Sequence, residues 1–269
     1  MNWQNVPRDD KTIKRAVLSK RGALVFADYS QVEPRLTAYF AAKIGHPEFA
    51  ERIKAGIDSY TAVAQLITGK EEVTPEERQD WKRTYLSLLY GGGVRTIQAQ
   101  YPGISFSDAK GIIKTFHTNW PAVRALQNMV ELTARDRGFI RTPWGRQLHP
   151  EEFGEHKLLN KLIQGSAADL MKHAILRVDR GLSGHIPLSP TNPFVGSDRF
   201  ESRMVSVVHD ELILDAPESE VPYLAELLPR WMSEPATDVG INEIVPITAE
   251  VEWSTTSWAD KEEYQPVAA

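Results

Sequence analysis

The chain has no cysteine in its 269 residues. That excludes a disulfide framework and any thiolate metal site. A zinc or iron–sulfur centre would have to rest on seven scattered histidines, and none of them has HxxxH spacing on an evident helix face. Long apolar runs are missing too: none approaches the ~20 residues needed to cross a bilayer. The first ten residues, MNWQNVPRDD, are polar and lack the apolar centre of a signal peptide. The expected location is therefore cytoplasmic. There is no internal repeat and no low-complexity segment. Strong net basicity is also absent: the formal charge is −5. That argues mildly against a purely charge-driven nucleic-acid binder. A metal-dependent enzyme that gathers acid at its centre can still carry a basic track, and basic residues do cluster at Arg78, Lys82 and Arg83 and again at Arg135, Arg137, Arg141 and Arg146.

Two acidic stretches carry most of the information. Asp28 to Arg35, DYSQVEPR, follows the apolar run Ala23 to Ala27. Val207 to Leu214, VVHDELIL, is an apolar run broken only by His209, Asp210 and Glu211. Each places an aspartate at the end or tip of a buried strand, where a carboxylate is costly unless it is paired or binds a metal. Two such aspartates brought together would make a site for two divalent cations, suited to phosphoryl transfer to a 3′-hydroxyl.

Local patterns give a mixed chain. A strand leads into the first acidic motif, and Ser30 to Lys43 reads as a helix with Ser30 and Glu33 at capping-box spacing. Two short helices are expected around Gly56 to Asp58. The clearest helix is Pro75 to Tyr90: Thr74 is a good N-cap, Pro75 fits the first position, Glu77 completes a capping box, and three glycines follow. Further helices are expected at 107–118, 121–137 and about 155–180, the last with Gly165 as a soft spot. Gly138 to His149 reads as a hairpin or extended turn. A long surface loop is expected at 181–202, then a hairpin over Met204 to Ala216 with His209-Asp210 at its turn. A helix over Val221 to Ser233, a strand near Ile244 to Val251 and a frayed tail from Glu263 complete the chain.

Arg78, Lys82, Leu86 and Tyr90 recur every four residues, forming a slowly winding stripe ~18 Å long on the helix 75–90. A triphosphate would fit its cationic half, helped by the helix N-terminus, and a base its apolar half. A solvated cationic turn followed by core residues explains the same pattern. Glu33 could be only the capping partner of Ser30. His209 could only brace its turn, and Asn160 and Gln164, one helical turn apart, could be plain polar residues. Glu211 is expected to have a secondary role rather than to ligate metal directly.

Taken in order, these segments resemble family A DNA polymerases, the polymerase I and phage replicase group. DYSQVEPR looks like motif A, Arg78 through Tyr90-Gly91 like motif B (RxxxKxxxFxxxYG), and Val208-His209-Asp210-Glu211 like motif C. Asn2 to Pro7 is similar to the stretch NLQNIP. Thr142 to Arg146 resembles a TxxGR turn, and Asn160 with Gln164 to Asp169 resembles an N-x3-QG[ST]AAD helix. One motif alone would be weak; six in family order, from residue 2 to about residue 261, are very specific.

The resemblance implies an α+β right-hand polymerase fold: a palm built on an antiparallel sheet, mainly helical fingers, and no thumb. It places palm at 1–70, fingers at 71–150 and the rest of the palm at 151–269. It implies DNA-directed DNA polymerase activity on primer–template DNA with dNTP. Two Mg²⁺ ions would be held by Asp28, Asp210 and the Tyr29 carbonyl. Arg78 and Lys82 would hold the triphosphate, and Lys82 could protonate pyrophosphate. Leu86, Tyr90, Gln31, Glu33 and Tyr60 complete the implied nucleotide site, with Tyr90 near the templating base and Glu33 against a 2′-hydroxyl. Asn160, Gln164, His209 and Arg146 are the implied DNA contacts; the minor-groove acceptors are alike in every base pair, so pairing shape is read without sequence.

Several departures accompany the match. The chain starts at the NLQNIP-like stretch, so a partner carrying the thumb, with or without an exonuclease, is expected. Leu86 stands where the family usually has Phe or Tyr. Losing that ring implies slower incorporation and altered sugar discrimination, which Leu86→Phe would reverse in single-nucleotide rates and dideoxy selectivity. Tyr60 stands where a phosphate-binding histidine is common, and Pro34 replaces leucine. The 181–202 loop is longer than usual and the segment after Arg146 shorter, which together suggest a phage or prophage origin in a bacterial or phage-infected cell. Three other classes compete with this reading. A non-catalytic remnant or assembly subunit would be expected to lose some of Asp28, Arg78, Lys82, Tyr90 and Asp210. A single-subunit RNA polymerase conflicts with Glu33. A two-metal nuclease would need more carboxylates and no triphosphate helix.

Overall fold

A computed structural model describes residues 6, 11–154, 157–185 and 199–265. Nearly all of the NLQNIP-like stretch, the middle of the 181–202 loop and the last four residues of the chain lie outside them. In chain order the elements are α1 (Thr12–Arg15), β1 (Ala23–Tyr29), α2 (Val32–Lys43), α3 (Glu48–Lys54), α4 (Ser59–Thr68), α5 (Pro75–Leu89), α6 (Val94–Gln100), α7 (Phe106–Asn119) and α8 (Pro121–Arg137). Then come β2 (Ile140–Arg141), β3 (Gln147–Leu148), α9 (Pro150–Phe153), α10 (Leu158–Leu182), β4 (Arg203–Val208) and β5 (Glu211–Ala216). The chain ends with α11 (Val221–Asp238), α12 (Ile241–Ile244), β6 (Ala249–Ser254) and β7 (Glu262–Glu263). No helix among the described residues is long and apolar enough to cross a membrane.

The chain divides into two compact units. One comprises residues 1–32, 167–242 and 247–269, the other 33–166 and 243–246. The boundaries thus fall at 32/33 and 166/167, where the motifs had suggested 70/71 and 150/151. The physical reason is that α4 packs on α5 and α7, so residues 33–70 join the helical unit.

The first unit is built on a five-stranded antiparallel sheet in the order β4-β5-β1-β6-β7. β1 is central, and Ala23 to Ala27 are all buried. A strand covered on both faces has no use for polar alternation, which is why the sequence there is a continuous apolar run. On one face Leu24, Phe26 and Ile213 pack with Trp258. On the other α11 covers β1 and β6, and the Tyr29 hydroxyl donates to the Met232 carbonyl at 2.7 Å. Burial pushes the Tyr29 hydroxyl pKa far up, so it remains a donor.

The second unit is helical, with the two-stranded β2–β3 hairpin as its sheet. Its centre is an aromatic column. Tyr60 meets Tyr85 edge-on at 5.4 Å, Tyr85 meets Phe116 at 5.9 Å, and Phe116 stacks on Trp120 at 5.5 Å. Such pairs contribute ~0.5–1.5 kcal/mol each beyond the area they bury.

Several local expectations are corrected. α2 starts at Val32 rather than at Ser30, because Gln31 adopts φ +50° and the Ser30 N–H donates to the Thr248 carbonyl at 2.9 Å. In a capping box Glu33 would take that N–H, so the capping role of Glu33 falls away. α10 runs through Gly165 as one helix, as expected. α11 continues past Ser233 to Asp238, through Pro229 and Pro235. An interior proline costs ~3 kcal/mol; the buried face of Trp231, Met232, Pro235 and Ala236 holds the helix together across it. The last long strand lies at 249–254, since Ile241–Ile244 is helical, and Glu262–Glu263 pair with β6 instead of fraying.

Candidate active site

In the sheet-bearing unit, Asp28 is the penultimate residue of β1, and Asp210 is the second residue of the two-residue turn between β4 and β5. The Tyr29 N–H donates to the Asp210 carbonyl at 3.3 Å, which ties the two motifs together at one end of the sheet. Both aspartates are half-buried. His209, exposed at the tip, has φ +57° and Gln31 has φ +50°; they are the only non-glycine residues with positive φ among those described. A two-residue hairpin requires such a φ, normally supplied by glycine or asparagine. Strained backbone of this kind collects where geometry serves function. Here both instances lie within three residues of an expected metal ligand.

The sheet register adds a row of charge. Asp28 stands directly opposite Glu211 on β5 and opposite Glu250 on β6, and residues opposite one another share a face. Like charges so placed repel. Glu211 is relieved by Lys261, whose Nζ lies 2.5 Å from its Oε2 and also pairs with Glu252. Burial lowers the Lys261 pKa, but the two carboxylates outweigh it and hold the ammonium protonated above its ordinary range. Among the described residues no group of three or more His, Cys, Asp or Glu is arranged to hold a metal. A pair of aspartates with a backbone carbonyl fits the other mode of binding. Mg²⁺ takes hard oxygen donors and is commonly held by one or two carboxylates together with substrate phosphates.

The helical unit carries the cationic stripe on α5. Thr74 and Glu77 form the expected capping box, the Thr74 Oγ1 accepting the Glu77 N–H at 3.2 Å and Glu77 Oε2 accepting the Thr74 N–H at 3.0 Å. The helix ends in a Schellman motif: the Gly92 N–H reaches the Ser87 carbonyl at 2.7 Å and the Gly91 N–H the Leu88 carbonyl at 3.1 Å. Gly91 has φ +82°, and a Cβ on Gly92 would lie 2.7 Å from the Ser87 carbonyl oxygen. The glycines are therefore required by the turn. Gln127 of α8 donates to the Leu89 carbonyl at 3.0 Å and fixes the same end.

Arg78, Lys82, Leu86 and Tyr90 are all half-buried, so the stripe is neither fully solvated nor core. Tyr60 explains the arrangement of the cations. Its ring is buried, 2 % exposed, and the Arg78 guanidinium lies 5.2 Å and the Lys82 ammonium 5.3 Å from its centroid. Arg78 is further held by Asp58, the N-cap of α4, through Nε at 3.1 Å and Nη2 at 2.6 Å. Burial pushes the Asp58 carboxyl up, but hydrogen bonds from Arg78 and from Thr61 more than offset it and hold its pKa below the ordinary value. Lys82 makes no ion pair among the described residues. At the other end of the stripe the Tyr90 hydroxyl donates to Glu33 Oε1 at 2.8 Å. Burial and the Glu33 charge raise the Tyr90 pKa far above its ordinary value, keeping the proton in place.

Of the other expected contacts, Gln164 is exposed and Asn160 half-buried on α10, one turn apart in the helical unit. Arg146 is exposed in the β2–β3 turn, its N–H bonded to Thr142 Oγ1 at 3.2 Å. The pattern missed Asp58, Lys261 and Gln127. Asp58 had a local signal, a capping residue before an apolar helix; Gln127 reaches Leu89, 38 residues away, and Lys261 reaches Glu211, 50 residues away.

An antiparallel palm sheet with paired aspartates at one end, and a separate helical unit with a cationic stripe, define a right-hand nucleotide polymerase fold. The family model for DNA polymerase family A matches residues 1–260, and the chain belongs to that family. It is 30% identical over 254 residues to DNA polymerase I of Lactococcus lactis subsp. lactis, covering 87% of this chain and 27% of that protein's length. DNA polymerase I of Chloroflexus aurantiacus is 30% identical over 266 residues, 93% of this chain and 26% of the relative. Among solved structures, the POL domain of Pol1 from M. smegmatis in complex with DNA primer-template and dNTP matches with a TM-score of 0.78 at 29% identity. That match covers 97% of this chain and 45% of the solved one. The chain thus spans about a quarter of the length of these curated relatives. Family membership implies use of a divalent metal.

Proposed function

We propose that this chain carries the chemistry of template-directed DNA synthesis, transferring a nucleotide from dNTP to a primer 3′-hydroxyl. The observation that carries the reading is the junction of Asp28 and Asp210 through the Tyr29–Asp210 backbone bond, flanked by two strained non-glycine residues. Asp28, Asp210 and the Tyr29 carbonyl would hold Mg²⁺, two ions in all. When bound, the metal activates the attacking hydroxyl and offsets charge on the leaving phosphate oxygens. Arg78 and Lys82 would bind the triphosphate; Lys82, with no carboxylate partner among the described residues, would give a proton to pyrophosphate. Glu33, fixed by the Tyr90 hydroxyl, closes the sugar site against a 2′-hydroxyl. Gln31 and Leu86 border the nucleotide, and Asn160, Gln164, His209 and Arg146 contact the primer–template. The dNTP and primer–template named for the M. smegmatis complex support the choice of substrate.

A second chain supplying a thumb belongs to the same proposal. Its support is an apolar hollow of about 320 Å³ in the sheet-bearing unit, lined by Val17, Leu24, Ile213 and Trp258, with Leu18 61% and Val205 54% exposed at its edge. Exposed apolar surface of this kind marks interaction sites.

The test is Mg²⁺-dependent primer extension by the chain alone and with a polymerase fragment that carries a thumb. Asp210→Ala should reduce extension about 10³-fold or more, because a metal-holding carboxylate supports several kcal/mol of transition-state stabilisation. Extension that survives Asp210→Ala sinks the assignment. DNA binding without extension in any combination would favour a non-catalytic assembly subunit.

A further inference from the structure

The row Asp28–Glu211–Glu250 sets a problem that the sheet solves at one point. Glu211 follows Asp210 directly and faces Asp28 across the ladder, so its carboxylate is near enough in register to join whatever Asp28 and Asp210 hold. Its carboxylate is instead bonded by Lys261. Phe26, two residues before Asp28 on the same face, is paired with Ile213 on one side and Glu252 on the other. Lys261, just before β7, lays its ammonium 5.3 Å from the Phe26 ring centroid. From there it bonds Glu211 Oε2 at 2.5 Å and pairs with Glu252. The ammonium thus sits over the row of Phe26, one step back from the row of Asp28. The contact engages one oxygen of the Glu211 carboxylate with an ammonium that also lies over Phe26. Glu211 is 9% exposed, so its charge is held in a partly desolvated place where a counter-ion matters.

We propose that Lys261 is a positioning residue that withholds Glu211 from the metal site. The inference rests on the metal reading of Asp28 and Asp210 given above. Two carboxylates leave room for substrate phosphates as ligands. A third would complete more of the cation's shell with protein oxygens and hold the metal without nucleotide.

The test is Mn²⁺ binding to the full chain without DNA or nucleotide, read by electron paramagnetic resonance, with thermal unfolding of each variant alongside. Lys261→Met frees Glu211 and should tighten Mn²⁺ binding several-fold. Lys261→Arg should leave it as in the parent, and Lys261→Met combined with Glu211→Gln should return it there. Glu211→Gln alone should leave Mn²⁺ affinity unchanged, and this variant keeps the proposal decidable if Lys261→Met folds poorly. Unchanged affinity in a folded Lys261→Met chain overturns the proposal. So does weaker binding in Glu211→Gln, which would make Glu211 a ligand already. Mn²⁺ binding that survives Asp210→Asn would overturn the metal reading itself, and the inference with it.

Discussion

The two units handle clustered charge of opposite sign in comparable ways. In the palm sheet, acidic residues gather at one end, and the outlying carboxylate, Glu211, receives a counter-ion from Lys261. On α5, two cations share one aromatic platform, and the outlying one, Arg78, receives a counter-ion from Asp58. In each set one member makes no ion pair among the described residues: Asp210 in the palm and Lys82 on the helix. The difference lies in what separates like charges. The palm uses sheet register and a strained turn, whereas the helix uses spacing by four and a buried ring. On the function proposed above, the members with a built-in counter-ion position and those without one react.

The widest split should come from truncating the two cations in turn. Lys82→Ala should lower kcat ~10²–10⁴-fold, the range for losing a general acid, with little change in thermal stability. Arg78→Ala should act mainly on KM for dNTP, raising it about tenfold, since a charged hydrogen bond is worth ~1.5–3 kcal/mol and part of that already goes to Asp58. Pre-steady-state single-nucleotide incorporation separates the two effects. Equal losses of kcat in both variants would break the distinction.

Much of this was legible before any coordinates. The run Ala23 to Ala27 ending in Asp28 could only be a buried strand with a costly tip, and the hairpin over His209-Asp210 followed from the same pattern. The capping box and glycines of α5 are local chemistry and were read from local sequence. The spacing of Ser30 and Glu33 is identical to that of Thr74 and Glu77, yet the first helix starts at Val32 and the Ser30 N–H goes to the Thr248 carbonyl. Glu33 is taken instead by Tyr90, 57 residues on. The end of α11 was misjudged because proline propensity is local whereas the buried face of Trp231 and Met232 is tertiary. Asp58 with Arg78, 20 residues apart, and Lys261 with Glu211, 50 apart, leave no periodic trace. Sequence thus pointed to candidate reacting residues but not to the residues that hold them.

The role of Tyr60 gives a smaller effect and a sharper choice. The resemblance puts Tyr60 where a phosphate-binding histidine is common; the structure shows a buried ring beneath two cations and against Tyr85. Tyr60→Phe keeps the ring and should change KM for dNTP less than about twofold. Tyr60→Leu removes two cation–π contacts of ~0.5–1 kcal/mol each and should raise KM several-fold. A large rise in KM for Tyr60→Phe would instead restore the hydroxyl as a phosphate ligand.

Asp58→Asn should give the smallest change and the one most specific to the counter-ion. Asparagine caps a helix about as well as aspartate, so α4 keeps its N-terminus and only the pair with Arg78 is lost. A partly exposed pair of this kind contributes ~1 kcal/mol or less, and releasing Arg78 should lower KM for dNTP a few-fold. Because the folded pKa of Asp58 is depressed, the stabilisation is present in full above the ordinary aspartate value near 3.8 and is lost as pH falls through the folded value. Urea unfolding of parent and variant should therefore differ at neutral pH and converge in acid below that value. A gap that persists there would assign the difference to packing rather than to charge. A raised KM for dNTP would show that Asp58 orients Arg78 for the triphosphate instead of competing with it, and would break the parallel with Lys261.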